Sequence, residues 1–350
     1  MIFLTYGINI AYINSKKEVL HMKRKLSAFI IFFSTAVLLF NLCGCARRDG
    51  QRVVIYSCLE SFRNQDMIEQ LQKDLPHITV NVQSLSTGKV ASKLKAEGTK
   101  SEGDIIIGLD TAYSESLKDY LEPLNGYDDS LYLDEFKIPG REYAIWERYG
   151  GCIVVNEALL VEKGLPEPTC YEDLLKPEYK NLIVMPDPKS TGTGYLFLEN
   201  MVNFMGEDEA FDYLDKLVEN VIFFTASGSG PVNLLIQGEA AIGLGLTFTV
   251  VQEINNGMPF KIIYFEEGSP YNTSSFAMLK DRDNPGDVAA VFSYLYNHFI
   301  YRDKALFSPE PIFKNQTITI PSYPQNIVYG DMTDINDIKH KENLLKRWRY

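Results

Sequence analysis

Leu182-Ile183-Val184-Met185-Pro186-Asp187-Pro188-Lys189-Ser190-Thr191-Gly192-Thr193-Gly194-Tyr195 runs from an apolar segment through two prolines into a turn of small hydroxyl residues and glycines, after which apolar residues continue to position 204. A short buried strand, a tight turn and a helix is the simplest reading. The same unit recurs along the chain. Val53-Val54-Ile55-Tyr56 leads through Ser57-Cys58-Leu59-Glu60-Ser61 into Met67, Ile68, Leu71 and Leu75 at helical spacing. Ile78, Val80 and Val82 alternate with Thr79, Asn81 and Gln83. After Ser84-Leu85-Ser86-Thr87-Gly88, Val90 and Leu94 mark a helix closed by Gly98, and residues 104–109 form another buried strand before Asp110-Thr111. Farther on, strands over 221–224, 241–246 and 260–265 alternate with helices over 209–219 and 231–237. Repeated strand, helix, strand units predict an α/β chain with mainly parallel sheets, flanking helices and right-handed crossovers.

With 350 residues, 45% of them hydrophobic, there is material for two lobes that each bury a core. Segments 150–155 and 274–279 are strand-like and flank the second set of units. They predict a two-strand hinge between a first lobe, 53–151 with 275–350, and a second lobe, 152–274, and a paired connection bends about one axis.

Charge and cysteine usage narrow the function. Residues 1–44 carry Lys16, Lys17, Lys23, Arg24 and Lys25 against Glu18, so of a net charge of -12 the rest of the chain holds -16. An acidic body argues against nucleic acid as a partner. Of 5 Cys, none is spaced as C-x-x-C; Cys58, Cys152 and Cys170 remain beyond Cys43 and Cys45, an odd number that speaks against a disulfide framework and leaves room for one pair. The four histidines, His21, His77, His298 and His340, are scattered, and no metal or cofactor is expected. Among 21 Tyr, those at Tyr113, Tyr127, Tyr132, Tyr143 and Tyr149 cluster between the lobes; the expected role is to cover interlobe surface with the ring while the hydroxyl stays wet, and the alternative is stacking on a ring of the ligand.

The N-terminus reads as an address. Met22-Lys23-Arg24-Lys25 precedes residues 26–42, almost all apolar, and Leu42-Cys43-Gly44-Cys45 closes the run. Basic, then apolar, then small before cysteine is the grammar of a secretory signal over 1–44. The last four residues resemble the bacterial lipobox. That resemblance implies cleavage before Cys45, lipid on its sulfur and an extracytoplasmic protein anchored to the cell membrane. A membrane-spanning anchor is the other reading, at the lower limit of length for crossing hydrocarbon. Residues 1–21 lack the signal grammar, which puts Met22 beside Met1 as a start; residues 45–52 read as a polar tether.

In open parallel sheets ligands sit beyond the carboxyl ends of strands, where helix N-termini present free N–H groups. Small hydroxyl residues and glycines stand at those points repeatedly: Ser57 and Cys58, Thr87 and Gly88, Asp110, Ser190, Thr191 and Thr193, Ser227 and Ser229, and Thr247. Capping and turn formation explain any one of these turns alone. Recurrence in both lobes points to a small anionic or polyhydroxyl ligand. No catalytic residue is expected, because Ser227-Gly228-Ser229-Gly230 lacks the first glycine of a nucleophile elbow and no dinucleotide or P-loop pattern is complete.

Several stretches together carry a family likeness: Ser86-Thr87-Gly88; Leu165-Pro166 with Tyr171-Glu172-Asp173-Leu174-Leu175 and Pro177-Glu178-Tyr179-Lys180; Pro186-Asp187-Pro188 before Ser190-Thr191-Gly192-Thr193-Gly194-Tyr195; Ser227-Gly228-Ser229-Gly230-Pro231; Gly238-Glu239-Ala240-Ala241-Ile242-Gly243; Glu266-Glu267-Gly268-Ser269-Pro270; and Asn284 before Pro285. In this order, over residues 53–348, the chain resembles bacterial extracellular solute-binding proteins of the ferric-iron, phosphonate and phosphate-ester branch. The resemblance implies a two-lobed, type II periplasmic-binding-protein-like fold, monomeric, that closes on a small solute and delivers it to the membrane permease and ATPase of an ABC importer. It also implies that Ser57, Cys58, Thr87, Ser190, Thr191, Thr193, Ser227 and Ser229 lie on turns facing the cleft. Iron-binding members of the branch use adjacent tyrosines where this chain has Leu246-Thr247-Phe248-Thr249-Val250; phenolate is a hard ligand suited to ferric ion. The expected solute is therefore a phosphorylated organic compound or phosphonate. The alternatives are ferric iron or an iron chelate, a ligand-sensing subunit of a membrane kinase with the same fold, and a lipid-anchored hydrolase.

Overall fold

A computed structural model describes residues 52–350. Cys45, the signal segment and most of the tether lie outside the described residues. Among these there are nine strands: β1 (Arg52–Ser57), β2 (Thr79–Ser84), β3 (Ile105–Asp110), β4 (Ala144–Asn156), β5 (Ile183–Pro186), β6 (Val221–Thr225), β7 (Ile242–Leu246), β8 (Phe260–Ile263) and β9 (Tyr271–Met278). β2, β1 and β3 are parallel neighbours, with the helices Ser61–Asp74 and Thr87–Glu97 as crossovers. Every residue of β3 is buried, as in a parallel strand covered on both faces. β9 joins β3 antiparallel, and the first half of β4 joins β9. The second half of β4 pairs antiparallel with β7 and β8, while β7, β5 and β6 run parallel.

β4 thus belongs to two sheets. It changes partners at Gly150 and Gly151, pairing through Gly150 with β9 and from Gly151 with β7. Glycine is needed there because a Cβ on Gly151 would lie 2.8 Å from the Phe197 ring and 3.0 Å from Pro270. The return passage runs through Gly268, Ser269 and Pro270: the Ser269 hydroxyl donates to Gly151 O (2.7 Å), and Gly151 N–H donates to Pro270 O (2.8 Å). Two α/β lobes is the architecture read from the sequence, but the return passage precedes the segment 274–279 expected to form it, because residues 271–278 already pair with β3 and the first half of β4 in the first sheet.

Two large apolar clusters lie on either side of this junction. One gathers β1, β3 and β9 with Trp146, Phe276, Phe292 and Phe299; the other gathers Tyr149, Ile153, Met185, Tyr195, Leu214 and Leu244. The tail departs from the sequence reading, which kept residues 275–350 in the first lobe. Ile312 and Phe313 pack in the first cluster, but Tyr323, Met332, Ile335, Leu344 and Trp348 pack in the second. The chain therefore crosses a third time between Phe313 and Tyr323, because the apolar side of the C-terminal helix Ile338–Arg347 finds its partners in the second cluster.

The helix expected from Tyr195 begins three residues earlier, spanning Gly192–Met205. Thr191 is its N-cap, with the side chain accepting from Gly194 N–H at 2.8 Å. The hydroxyl and glycine turn is thus the first turn of the helix itself.

Candidate functional site

Strand C-termini and helix starts from both lobes line one cavity of about 970 Å³. Cys58 to Ser61 follow β1, Ser84 to Lys89 follow β2, and Asp110 ends β3; across from them stand Lys189 to Thr193 after β5, Ala226 to Ser229 after β6, and Leu246 and Phe248 at the end of β7. Of the residues singled out in the sequence, Cys58, Thr87, Gly88, Asp110, Ser190, Thr191, Thr193, Ser227 and Ser229 are on this wall. Ser57 and Thr247 are not. Ser57 is fully buried, its hydroxyl donating to Asn64 Oδ1 at 2.6 Å and accepting from Leu59 N–H at 3.2 Å. Thr247 is equally buried and bonded to the Tyr264 hydroxyl at 3.1 Å. Ser57 serves its own turn, as hydroxyl residues beside a helix start commonly do, whereas Thr247 ties its helix start to the segment after β8.

Asp187 organises the turn after β5. Its carbonyl accepts from the N–H of Ser190 (3.1 Å) and Thr191 (3.0 Å) and from the Thr191 hydroxyl (3.2 Å). Its carboxylate accepts from the Ser190 hydroxyl, Lys189 N–H (3.1 Å) and the Trp348 indole N–H (3.0 Å). A Cβ on Gly194 would lie 2.5 Å from the Asp187 carbonyl, so only glycine lets helix and turn meet. The hydroxyls of Ser190 and Thr191 build the turn. What remains for a ligand is the first-turn N–H groups of Gly192 and Thr193, which have no intrahelical acceptor, and the Thr193 side chain.

The first lobe mirrors this arrangement. Helix Thr87–Glu97 starts at the cavity, and its N-cap Ser86 makes no side-chain cap bond, leaving the first-turn N–H groups uncovered. The two helix starts lie close together: a Cβ on Gly88 would be 3.6 Å from Lys189 O. Each carries the positive end of its helix dipole. Lys89 and Lys189 stand exposed on the same wall.

The carboxylates on the wall are compensated. Asp110 is buried, accepts from the Tyr149 hydroxyl at 2.9 Å and pairs with Lys341 Nζ at 2.9 Å. Glu147 takes a two-pronged bond from Arg63, at 3.1 and 2.8 Å, and the other edge of that guanidinium holds Asp303 at 2.9 and 2.5 Å. Burial pushes the Glu147 carboxyl up, yet the attraction of Arg63 and Lys304 outweighs it and leaves the group below its ordinary range. Glu60, 3.3 Å from Arg63, is pushed up to about 7, chiefly by burial. Lys304 is buried without a hydrogen-bond partner, and desolvation lowers it to about 8. Glu342 is paired with Lys95 at 3.1 Å.

Cys58, Cys152 and Cys170 are free thiols. Burial, with Asp110 and then Glu60 adding to it, drives the Cys58 thiol well above its ordinary value, so it faces the cavity protonated. Among the described residues no group of three or more His, Cys, Asp and Glu is placed to hold a metal ion. The tyrosines divide. Tyr113 and Tyr149 reach the cavity, whereas Tyr132 and Tyr143 are buried in the first core and Tyr127 packs against it. Trp146 lies in that core between Phe276 and Phe299, at centroid distances of 5.2 and 6.0 Å. Sequence reasoning missed Arg63, Glu147 and Lys341. Their role depends on partners 84, 240 and 231 positions away, for which a single sequence gives no sign.

The family model described as bacterial extracellular solute-binding protein matches residues 104–306, more than half of the chain. The chain belongs to that family. An uncharacterized protein of Haemophilus influenzae is 28% identical to this solute-binding protein over 269 residues, 74% of this chain and 77% of that one. A thiamine-binding periplasmic protein of Brucella melitensis is 28% identical over 188 residues, which cover 51% of this chain and 53% of the relative. Among solved structures, the periplasmic binding protein AfuA from Actinobacillus pleuropneumoniae, with exogenous fructose-6-phosphate bound, superposes with a TM-score of 0.75 at 21% identity, over 85% of this chain and 97% of that one. At that identity the match speaks for the two-lobed fold. The thiamine-binding relative and AfuA are binding proteins, and the extracellular family places this solute-binding protein on the outer side of the membrane.

Proposed function

We propose that the protein captures a small anionic solute, a phosphorylated organic compound or phosphonate, between its two lobes and delivers it to the membrane permease and ATPase of an ABC importer. One observation carries the reading: two helix N-termini, one per lobe, bring first-turn N–H groups without an intrahelical acceptor to the same cavity, while the carboxylates around them are paired. Such termini bind anions through free donors and dipole together. The sugar phosphate in AfuA supports the same class. The donors facing the cavity are N–H, hydroxyl and a protonated thiol, which favour an anion over the alternative of a bare ferric ion.

Solute held by both lobes stabilises their closed arrangement, and the importer recognises that arrangement. Lipid on Cys45 tethers the monomer to the cell membrane. Calorimetry with the full chain tests the assignment: a sugar phosphate is expected to bind and the unphosphorylated sugar is not. Thr193→Ala is expected to weaken binding about 10- to 100-fold through loss of one charge-assisted bond. Equal affinity for both sugars, or an unchanged affinity in the variant, contradicts the assignment.

A further inference from the structure

The C-terminal helix Ile338–Arg347 anchors Leu344 in the second core and buries Lys341 beside the cavity. The Lys341 ammonium lies 2.9 Å from Asp110 Oδ2, 4.4 Å from the Tyr113 ring centroid and 4.3 Å from the Tyr195 ring centroid. The Tyr195 ring is held in place. The Tyr195 hydroxyl donates to Glu199 Oε2 at 2.8 Å, and His340 Nε2 lies 3.2 Å from that oxygen; Tyr113 stands on the cavity wall. Tyr149 donates to the free oxygen of Asp110. A carboxylate with two aromatic faces is the environment that binds a free alkylammonium, and here it is occupied by the chain's own side chain. Asp110, Tyr113 and Tyr149 also line the solute cavity, so cage and cavity share a wall.

We propose that Lys341 determines the charge selectivity of the cavity. Its ammonium fills a ready-made amine site and neutralises Asp110, so the protein excludes amines and leaves a wall that tolerates an anion. The second half of that statement rests on the anion reading above; the occupied cage does not. The C-terminal helix is then a built-in stand-in for a cationic solute, and the ion pair between Lys95 and Glu342 holds its neighbouring turn to the first lobe.

Chemical rescue of the full chain tests this. Lys341→Ala is expected to melt lower than wild type and to regain about half or more of the loss with millimolar n-propylammonium chloride. Neither 1-propanol nor sodium chloride at the same concentration is expected to do so, and wild type and Lys341→Arg are expected not to respond to the amine. A folded Lys341→Ala chain indifferent to the amine, or rescued equally by the alcohol, overturns the proposal. Should Lys341→Ala not fold, a double-mutant cycle of Lys341→Met with Asp110→Asn is read by urea denaturation, with a coupling of about tenfold or more in the unfolding constant expected. Absence of coupling overturns it. A wild type that binds no phosphorylated solute sinks the anion reading, and amine rescue still decides the cage.

Discussion

Replacing Arg63 with methionine is expected to destabilise the protein by about 3–5 kcal/mol, read as a lowered urea midpoint. The guanidinium is fully buried and serves Glu147 with one edge and Asp303 with the other, both nearly inaccessible to water. Removing it leaves two buried carboxylates facing each other across a gap. Lys304 cannot replace it: its ammonium lies 3.9 Å from Asp303, makes no hydrogen bond and sits over the Trp146 ring at 5.8 Å. The cost of breaking a buried pair is that of the uncompensated charge. The cluster supports Glu60 and Glu147 on the cavity wall, and Arg63 also stacks on Phe248 at 5.2 Å. A loss below about 1 kcal/mol would mean the cluster is not sealed from solvent.

Glu60→Gln is expected to stabilise the protein above pH 8 by on the order of 3 kcal/mol, with the difference vanishing toward pH 4.5. The sign follows from the direction of the shift. Burial raises the folded carboxyl to about 7 from the ordinary 4.5, so between these values the folded chain keeps a proton that the unfolded chain has lost. Stability from this group is complete below the unfolded value and is lost as pH rises through the folded one. Glutamine keeps the shape and removes the proton dependence. Urea midpoints of wild type and variant measured from pH 4.5 to 8.5 check it; parallel curves would contradict a buried, displaced Glu60.

The alternation of strands and helices was legible because short β-branched runs such as Val53-Val54-Ile55 favour a covered strand, and glycine and hydroxyl turns punctuate them. The positions of the turns were legible for the same reason. Their internal chemistry was not: whether Thr191 caps its own helix or offers its hydroxyl to a ligand depends on where Asp187 folds back, and Ser57 and Thr247 look in sequence like their neighbours on the wall. The tail was misassigned because Ile338–Arg347 is a strongly charged helix whose few apolar residues do not say which core they join. Lys341 reads there as one more solvated lysine. Only the fold shows that Tyr113, Tyr195 and Asp110, from both sides of the cavity, close around it.

A structure of the protein with a sugar phosphate bound tests the central claim most directly. The phosphoryl oxygens are expected at about 2.7–3.2 Å from backbone N–H groups of Thr87 or Gly88 in one lobe and of Gly192 or Thr193 in the other. A phosphoryl group outside the cavity, or touching the helix start of one lobe only, would contradict the account.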